Sequence, residues 1–497
     1  MSAFVTDQFR ILNAGSFVDS ISNNSYYAFL GLSNPTATGF GRTDNWNSST
    51  TNNPVDNFQY LSHYRDTSLF GRRITTENAR RVIRKIEWTA NNQYDMYRHD
   101  YRQGNIASVS KSLKLYDANY YIITSDFKVY VCIENGTSGA STTVPRSTLE
   151  PTHTDVEPVS YADGYRWKYL FKVSPSDVIK FDSTEFIVVP NNWATTSDSD
   201  ITVVRDGGNS DVNNNQIKAV YIENGGSGYT NGTHSILGDG TGGEVNITVN
   251  STGSITGVTV TQGGKGYTFG IVDLSTNSGA GSILIPIIPP SKGHGYDIYK
   301  ELGTDKVLLY ARFDDSTKDF PIDTKFAQVG VIKNPETFAG SQTFTGNTFS
   351  SLYAVGLSTS RTVVIGEQIT QASTGAKGYV ASFDTETKIL KYYQDRSLCF
   401  GNKLDQTQSL LTENITAFDN TPISFTDSGG STGINTGLSG SVITVNSKQI
   451  NLGVTFTGGL ANPEINKKTG DIIYIDNRPE VQRDSRQKED VKIILEF

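Results

Sequence analysis

The chain has 497 residues, a formal net charge of −8 and a pI near 5.3, and 36% of its residues are hydrophobic. At about 150 residues per domain this length suits three or four domains with sizeable cores. The acidic balance argues against nucleic acid as the main partner, and two cysteines, Cys132 and Cys399, exclude a disulfide framework or a Cys-rich metal site. No run of about 18 apolar residues is present, so no membrane insertion is expected. Met1 to Arg10 lacks the basic start and apolar centre of a signal peptide, which points to assembly in a reducing cytoplasm. Abundant Gly, Tyr, Phe, Ser, Thr and Asn, with few helix-forming runs, predict a mainly β chain.

Residues 1–74 read as short strands and loops, with Tyr26 to Leu30 a buried strand. A helix is expected over 75–88: Thr75 or Thr76 can cap it, and Ala79, Val82, Ile83 and Ile86 fall at helical spacing. Its other face, with the residues just before it, carries Arg72, Arg73, Arg80, Arg81, Arg84 and Lys85. This is the most basic region of an acidic chain, either a solvated face with local ion pairs or a contact surface for an acidic partner. Strands follow at 113–133, where Phe127, Val129 and Val131 alternate, and at 161–190. In the latter, Tyr165, Trp167, Tyr169, Phe171 and Val173 share one face.

From residue 196 the composition changes. Ile217 to Thr230 recurs as Ile255 to Thr268, each copy a strand ending in Gly-Gly-x-Gly-Tyr-Thr, which predicts a self-contained β module. Apolar strands like those of the first 195 residues resume at 296–333, and a second Gly/Thr/Ser-rich region with hairpins near 366–393 follows. At the end, Asp476-Asn477 reads as a turn pair before Pro479. Val491, Ile493, Leu495 and Phe497 then share one face, with Asp490, Lys492 and Glu496 on the other, as a half-buried strand. That strand is expected to dock into a sheet whose other strands lie far upstream.

Six segments result: 1–92 opens a core domain, 93–195 forms a second β domain and 196–295 is the inserted repeat module. Residues 296–335 return to the core, 336–462 form a second inserted β region and 463–497 close the core. The expected fold class is a multi-domain, antiparallel, β-sandwich-like core carrying these insertions.

No catalytic constellation is expected. His153-Thr-Asp155 with Ser160 holds triad residue types, but a triad is defined by geometry and roles. No His pair sits at i, i+4 and no Cys-x-x-Cys occurs, so neither a zinc site nor a cofactor is expected. Gly225 to Gly228 and Gly263 to Gly266 lack the Lys-Ser/Thr ending of a phosphate loop. Asp206, Asp211, Asp239 and Asp273 sit among glycines without a twelve-residue calcium loop.

Four blocks, in order, carry a family resemblance: Phe40-Gly41-Arg42 through Trp46, Asp163-Gly164-Tyr165 through Trp167, Tyr169 and Phe171, Glu185 to Pro190, and Gly470 through Tyr474, Asn477, Arg478 and Pro479. Together they resemble the baseplate wedge subunit encoded by gene eight of T4-like contractile-tailed bacteriophages. The resemblance spans roughly residues 1–195, 296–335 and 463–497 and leaves the two insertions uncovered. It implies a non-enzymatic structural virion protein of β-rich, two-domain fold, with the second domain inserted into the first. It also implies a homodimer that contacts other baseplate wedge subunits and helps transmit the trigger for sheath contraction. The alternative is a receptor- or glycan-binding tail protein that uses the inserted modules.

Overall fold

The computed structural model of the protein describes residues 5–32, 54, 61, 64–101, 109–137, 143–207, 216–314, 324–394, 416–484 and 487–497. Phe40, Gly41, Arg42, Trp46, Asp211 and Cys399 lie outside these. The fold is mainly β and multi-domain, with antiparallel sheets. It divides into two compact units, one comprising Met1–Val18, Arg80–Leu308 and Ile494–Phe497, the other Asp19–Ala79 and Leu309–Ile493.

The second unit is built on a five-stranded antiparallel sheet. Its strands, numbered along the chain, are β17 (Thr348–Ser350), β2 (Ser68–Ile74), β1 (Tyr26–Gly31), β16 (Lys325–Lys333) and β27 (Asp471–Gln482), in that order. All six residues of β1 are buried, as expected of a central strand. The anticipated Asp476-Asn477 turn is instead the middle of β27. Asn477 faces the buried Gln328, whose Nε2 donates to its Oδ1 at 3.2 Å. Pro479 sits where the register with β16 slips between Phe326 and Gln328, so its missing N–H costs the ladder nothing.

The same unit holds a seven-stranded sheet of β23 (Ser431–Thr432), β22 (Ile423–Phe425), β19 (Gln368–Thr370), β20 (Lys377–Asp384), β21 (Ile389–Tyr393), β18 (Tyr353–Gly356) and β26 (Leu460–Ala461). Ile369, Val380, Leu390 and Ile423 form its core. The hairpins expected near 366–393 are present as the antiparallel pairs β19–β20 and β20–β21. A further hairpin of β24 (Gly440–Val445) and β25 (Lys448–Phe456) packs Leu452, Val454 and Phe456 against Ala354 and Ala461 of this sheet.

In the first unit, β4 (Tyr121–Ile123), β5 (Lys128–Asn135), β7 (Tyr165–Lys172) and β6 (Val159–Ser160) form one sheet. The expected wall is buried: the four aromatics Tyr165, Trp167, Tyr169 and Phe171 and the following Val173 are all buried, and so are Lys168 and Leu170 between them. Phe127 does not continue the β5 alternation. It occupies the turn after β4 at φ 59°, where its N–H donates to the Thr124 carbonyl.

Two helical expectations are corrected. Residues 7–23, read as strand and loop, form the 17-residue helix α1. Ile11, Ala14, Val18 and Ile21 are its buried stripe. Residues 75–88 form no α-helix: a 3₁₀ turn at Thr76–Asn78, without a side-chain cap, leads into β3 (Ala79–Arg84). The β-branched Val82 and Ile83 pair with Val188 and Ile187 of β8 (Phe186–Val189). The apparent helical spacing arises because both faces of β3 are covered, so its apolar residues need not alternate. A further sheet has the order β28-β15-β3-β8, with β15 Lys306–Phe313 and β28 Glu489–Glu496. The expected docking of the last strand is therefore observed, with Ile493 buried.

The duplicated segment forms six strands: β9 (Val220–Ser227), β10 (Gly232–Gly238), β11 (Thr241–Val249), β12 (Ile255–Lys265), β13 (Gly270–Val272) and β14 (Ala280–Pro286). The copies exchange partners, since β9 of the first pairs with β14 of the second and β12 of the second pairs with β11 of the first. β10 and β13 also pair, whereas β9 runs beside β12 and β13 beside β14 without a ladder, so a four-stranded and a two-stranded sheet form an open barrel around the apolar residues. Gly226 and Gly228 have φ of 59° and 76°, and their counterparts Gly264 and Gly266 have 60° and 79°. Each repeat tyrosine covers a glycine: a Cβ on Gly279 would come 2.3 Å from the Tyr229 ring, and one on Gly240 2.4 Å from Tyr267.

This matched crowding makes a paired prediction. Gly240→Ala and Gly279→Ala each destabilise the module by about 1–3 kcal/mol through overpacking. Thermal melts of the two variants should shift by similar amounts; a neutral substitution at either site would contradict the duplicated geometry.

Candidate functional site

Three groups of side chains are candidates for function. The first is the aromatic wall of β7. The Asp163 carboxylate fixes the turn that starts this strand, accepting from the Thr148 and Leu149 amides at 2.8 and 3.1 Å and from the Tyr165 amide at 3.2 Å. Gly164 takes φ 88° there, a conformation that a side chain would strain. Tyr165 stacks on Trp167 with centroids 5.6 Å apart and planes 8° from parallel. Tyr94 meets both rings edge-on. The Tyr165 hydroxyl donates to the Pro145 carbonyl and accepts from the Tyr94 amide. Tyr169 packs on Tyr130 and Phe171 on Trp193. The Pro190 carbonyl accepts from the Tyr299 hydroxyl at 2.6 Å. These residues hold the sheet together and present no open chemistry.

Behind the wall lies a buried ionic network that sequence reading missed. Lys168, the residue between Trp167 and Tyr169, is wholly buried, and its ammonium donates to the Val156 carbonyl at 2.5 Å. Burial, reinforced by the charge of Lys218, pushes its pKa from 10.5 down to about 8. Lys218 itself pairs with Glu157 at 2.7 Å. Nearby, the buried Glu301 holds His294 Nδ1 at 2.6 Å and accepts from the Gly295 amide at 2.7 Å. Tyr97 packs edge-on against His294, and the Tyr120 hydroxyl donates to the Glu301 carbonyl. A Lys between Trp167 and Tyr169 in a buried strand was the available signal; Glu301 and His294 gave none, because the burial of both depends on distant aromatics.

The second group is the basic stretch. Arg72 and Arg73 lie on β2 in the other unit, where Arg73 donates to the Thr345 carbonyl at 2.7 Å. In the first unit, Arg80 pairs with Asp177 at 3.0 Å, and the Arg81 guanidinium lies 3.8 Å from the centre of the Tyr299 ring. Arg84 donates to the carbonyls of Asp117 and Ala118, and Lys85 meets Glu87 and Asp182. Arg84 and Lys85 line a cleft of about 860 Å³ together with α1, the Leu115–Asp117 turn and Glu496. Arg10, Arg84, Lys85, Lys114 and Lys306 face Asp7, Asp117, Glu185, Asp305 and Glu496 there, so the lining is charge-balanced and does not favour a polyanion.

The third group comprises the other polar motifs. His153 Nδ1 bonds the Tyr161 hydroxyl at 2.9 Å and its Nε2 has no partner, so no triad forms with Asp155 and Ser160. Asp206 is held by Arg205, Asp239 by Thr268 and Phe269, and Asp273 by Ser275. Among the described residues no group of three or more His, Cys, Asp or Glu could hold a metal ion, and no helix is long and apolar enough to cross a membrane. The C-terminal block has structural contacts too: Gly470 takes φ 79°, its carbonyl accepts from Arg65, and Arg478 pairs with Asp476 at 2.7 Å. No protein-family model matches the chain, and no curated protein is detectably similar to it.

The depressed Lys168 pKa has a sign that can be tested. Between pH 8 and 10.5 the unfolded chain holds more protons at this group than the folded one, so its contribution makes stability rise with pH in that window. Lys168→Met should raise stability at pH 7 by about 1–3 kcal/mol, read as a higher melting temperature, and should flatten the rise above pH 8. Destabilisation at both pH 7 and pH 10 would show that the hydrogen bond to Val156 outweighs the burial cost.

Proposed function

We propose that the chain is a structural virion protein, a baseplate wedge component of a contractile phage tail, assembled in the host cytoplasm. In this reading it acts as a homodimer that links wedge subunits and helps transmit the trigger for sheath contraction, without enzymatic activity. The observation that carries the reading is where the resembling blocks fall. Asp163 and Gly164 set the turn before β7, the aromatics of β7 form the wall, Pro190 anchors Tyr299, and Gly470 to Pro479 supply most of β27. Residues with such roles define a shape, which fits a family united by architecture more than by chemistry. The cleft supports the same view, because a balanced set of charges suits contact with protein surfaces of mixed sign.

Native mass spectrometry of the full chain tests the dimer directly. The expected species is twice the 54.3 kDa chain mass. A monomer or a trimer across micromolar concentrations would contradict it, a trimer favouring a fibre or spike. Purified tail particles should contain the chain at the baseplate, as seen by labelling and electron microscopy; finding it only at fibre tips would favour receptor binding.

A further inference from the structure

The duplicated barrel contains its own internal control for function. The repeat relates residues 38 apart, as Tyr229 is to Tyr267. Ser235 meets its own counterpart Asp273, whose N–H donates to the Ser235 carbonyl at 2.9 Å. The local pseudo-two-fold axis therefore passes between β10 and β13. On one side of it Leu237 and Ile271 stand directly opposite each other, and Phe269 occupies the bend just before β13. They are 55%, 63% and 56% exposed, and none belongs to the barrel core. On the other side the equivalent positions are Ser275, Thr233 and Asn231, all polar and exposed. The inward positions stay buried in both copies: His234 and Val272 are both buried, as are Tyr229 and Tyr267. The barrel fold thus does not require apolar groups at the three outward positions, since its other half does without them. Large exposed apolar side chains clustered where the fold has no use for them mark an interaction surface.

We propose that Leu237, Phe269 and Ile271 form a docking surface for uncharged, apolar side chains of a different protein subunit. Charge decides against several occupants. No basic residue lies within the trio, and the carboxylates two residues from Leu237 and Ile271 are Asp239, held by the Thr268 and Phe269 amides, and Asp273, held by the Ser275 amide, so nucleic acid and anionic lipid find no complement. A sugar would need free polar groups around the ring, and the flanking residues Gly238 and Gly270 offer no side chain. Area decides against the patch meeting its own copy across a two-fold axis. Three half-exposed side chains offer on the order of 300 Å², and a two-fold contact would bury roughly twice that, below the ~1,200 Å² at which stable interfaces begin. A neighbour held in place by other contacts of an assembly needs only such an anchor. The surface rests on the barrel alone and does not depend on the chain's belonging to a phage tail.

The test places the photocrosslinker p-benzoylphenylalanine at position 269 or at its polar counterpart 231 in the full chain, produced alongside its natural neighbours. Irradiation at 269 should yield an adduct with one different protein, identified by mass, at least about tenfold above the yield at 231, and Leu237→Asp with Ile271→Asp should lower that yield about tenfold while leaving the melting temperature of the barrel unchanged. An adduct only between copies of the chain, equal yields at 269 and 231, or no adduct at either position would overturn the proposal. If the captured partner belongs to no phage tail, the baseplate function fails while this surface stands.

Discussion

The antiparallel ladder between β16 and β27 is the constraint on which the second unit depends. It joins residues 325–333 to residues 471–482, so the five-stranded sheet begun at Tyr26 is complete only once β27 is in place. The ladder is reinforced by side chains that report the same closure. Gln328 and Asn477 are buried against each other, and Arg65 donates to the carbonyls of Lys468 and Gly470. Pairing across such sequence distances carries a loop-closure cost that local structure does not share. The seven-stranded sheet lies within the loop so closed and has its own core, so its hairpins can form from local contacts first.

In the first unit the corresponding role falls to β7. Its aromatic face supplies packing, and its opposite face buries Lys168. A buried ammonium beside a second lysine opposes folding, and the unit tolerates it because Tyr165, Trp167 and their neighbours contribute far more. The same surroundings hold His294 and Glu301 in a dry, hydrogen-bonded pair. His294 and Glu301 are closed to solvent, whereas the Lys218–Glu157 pair reaches the surface through the exposed Glu157.

The legible features of the chain are those written in local pattern. Alternation identifies β7 and β28, and the Gly-Gly-x-Gly-Tyr-Thr repeat identifies the duplicated module. Local pattern misleads where tertiary contacts override it. Helix α1 is weakened in sequence by Asn13, Gly15, Ser16 and Ser20, and only its buried stripe betrays it. β3 carries arginines whose guanidinium groups lie over the rings of Phe181 and Tyr299 from elsewhere in the unit, which erases the alternation of a strand. Asp476-Asn477 resembles a turn until Gln328, far upstream, gives Asn477 a buried partner. The exchange of strands between the two repeats is likewise invisible, because a repeat states that two segments are alike and is silent on which pairs with which.

The sheets fix a frame from residues far apart in the chain, while the duplicated segment folds from strands that are close in sequence. The central claim is that β27 is an integral strand of the frame. Native-state hydrogen exchange measures this directly. The amides of β27 that bond β16 should exchange as slowly as those of β1 and β16, opening only with the whole sheet. Exchange of residues 471–477 orders of magnitude faster than β1, as for a frayed edge, would contradict it.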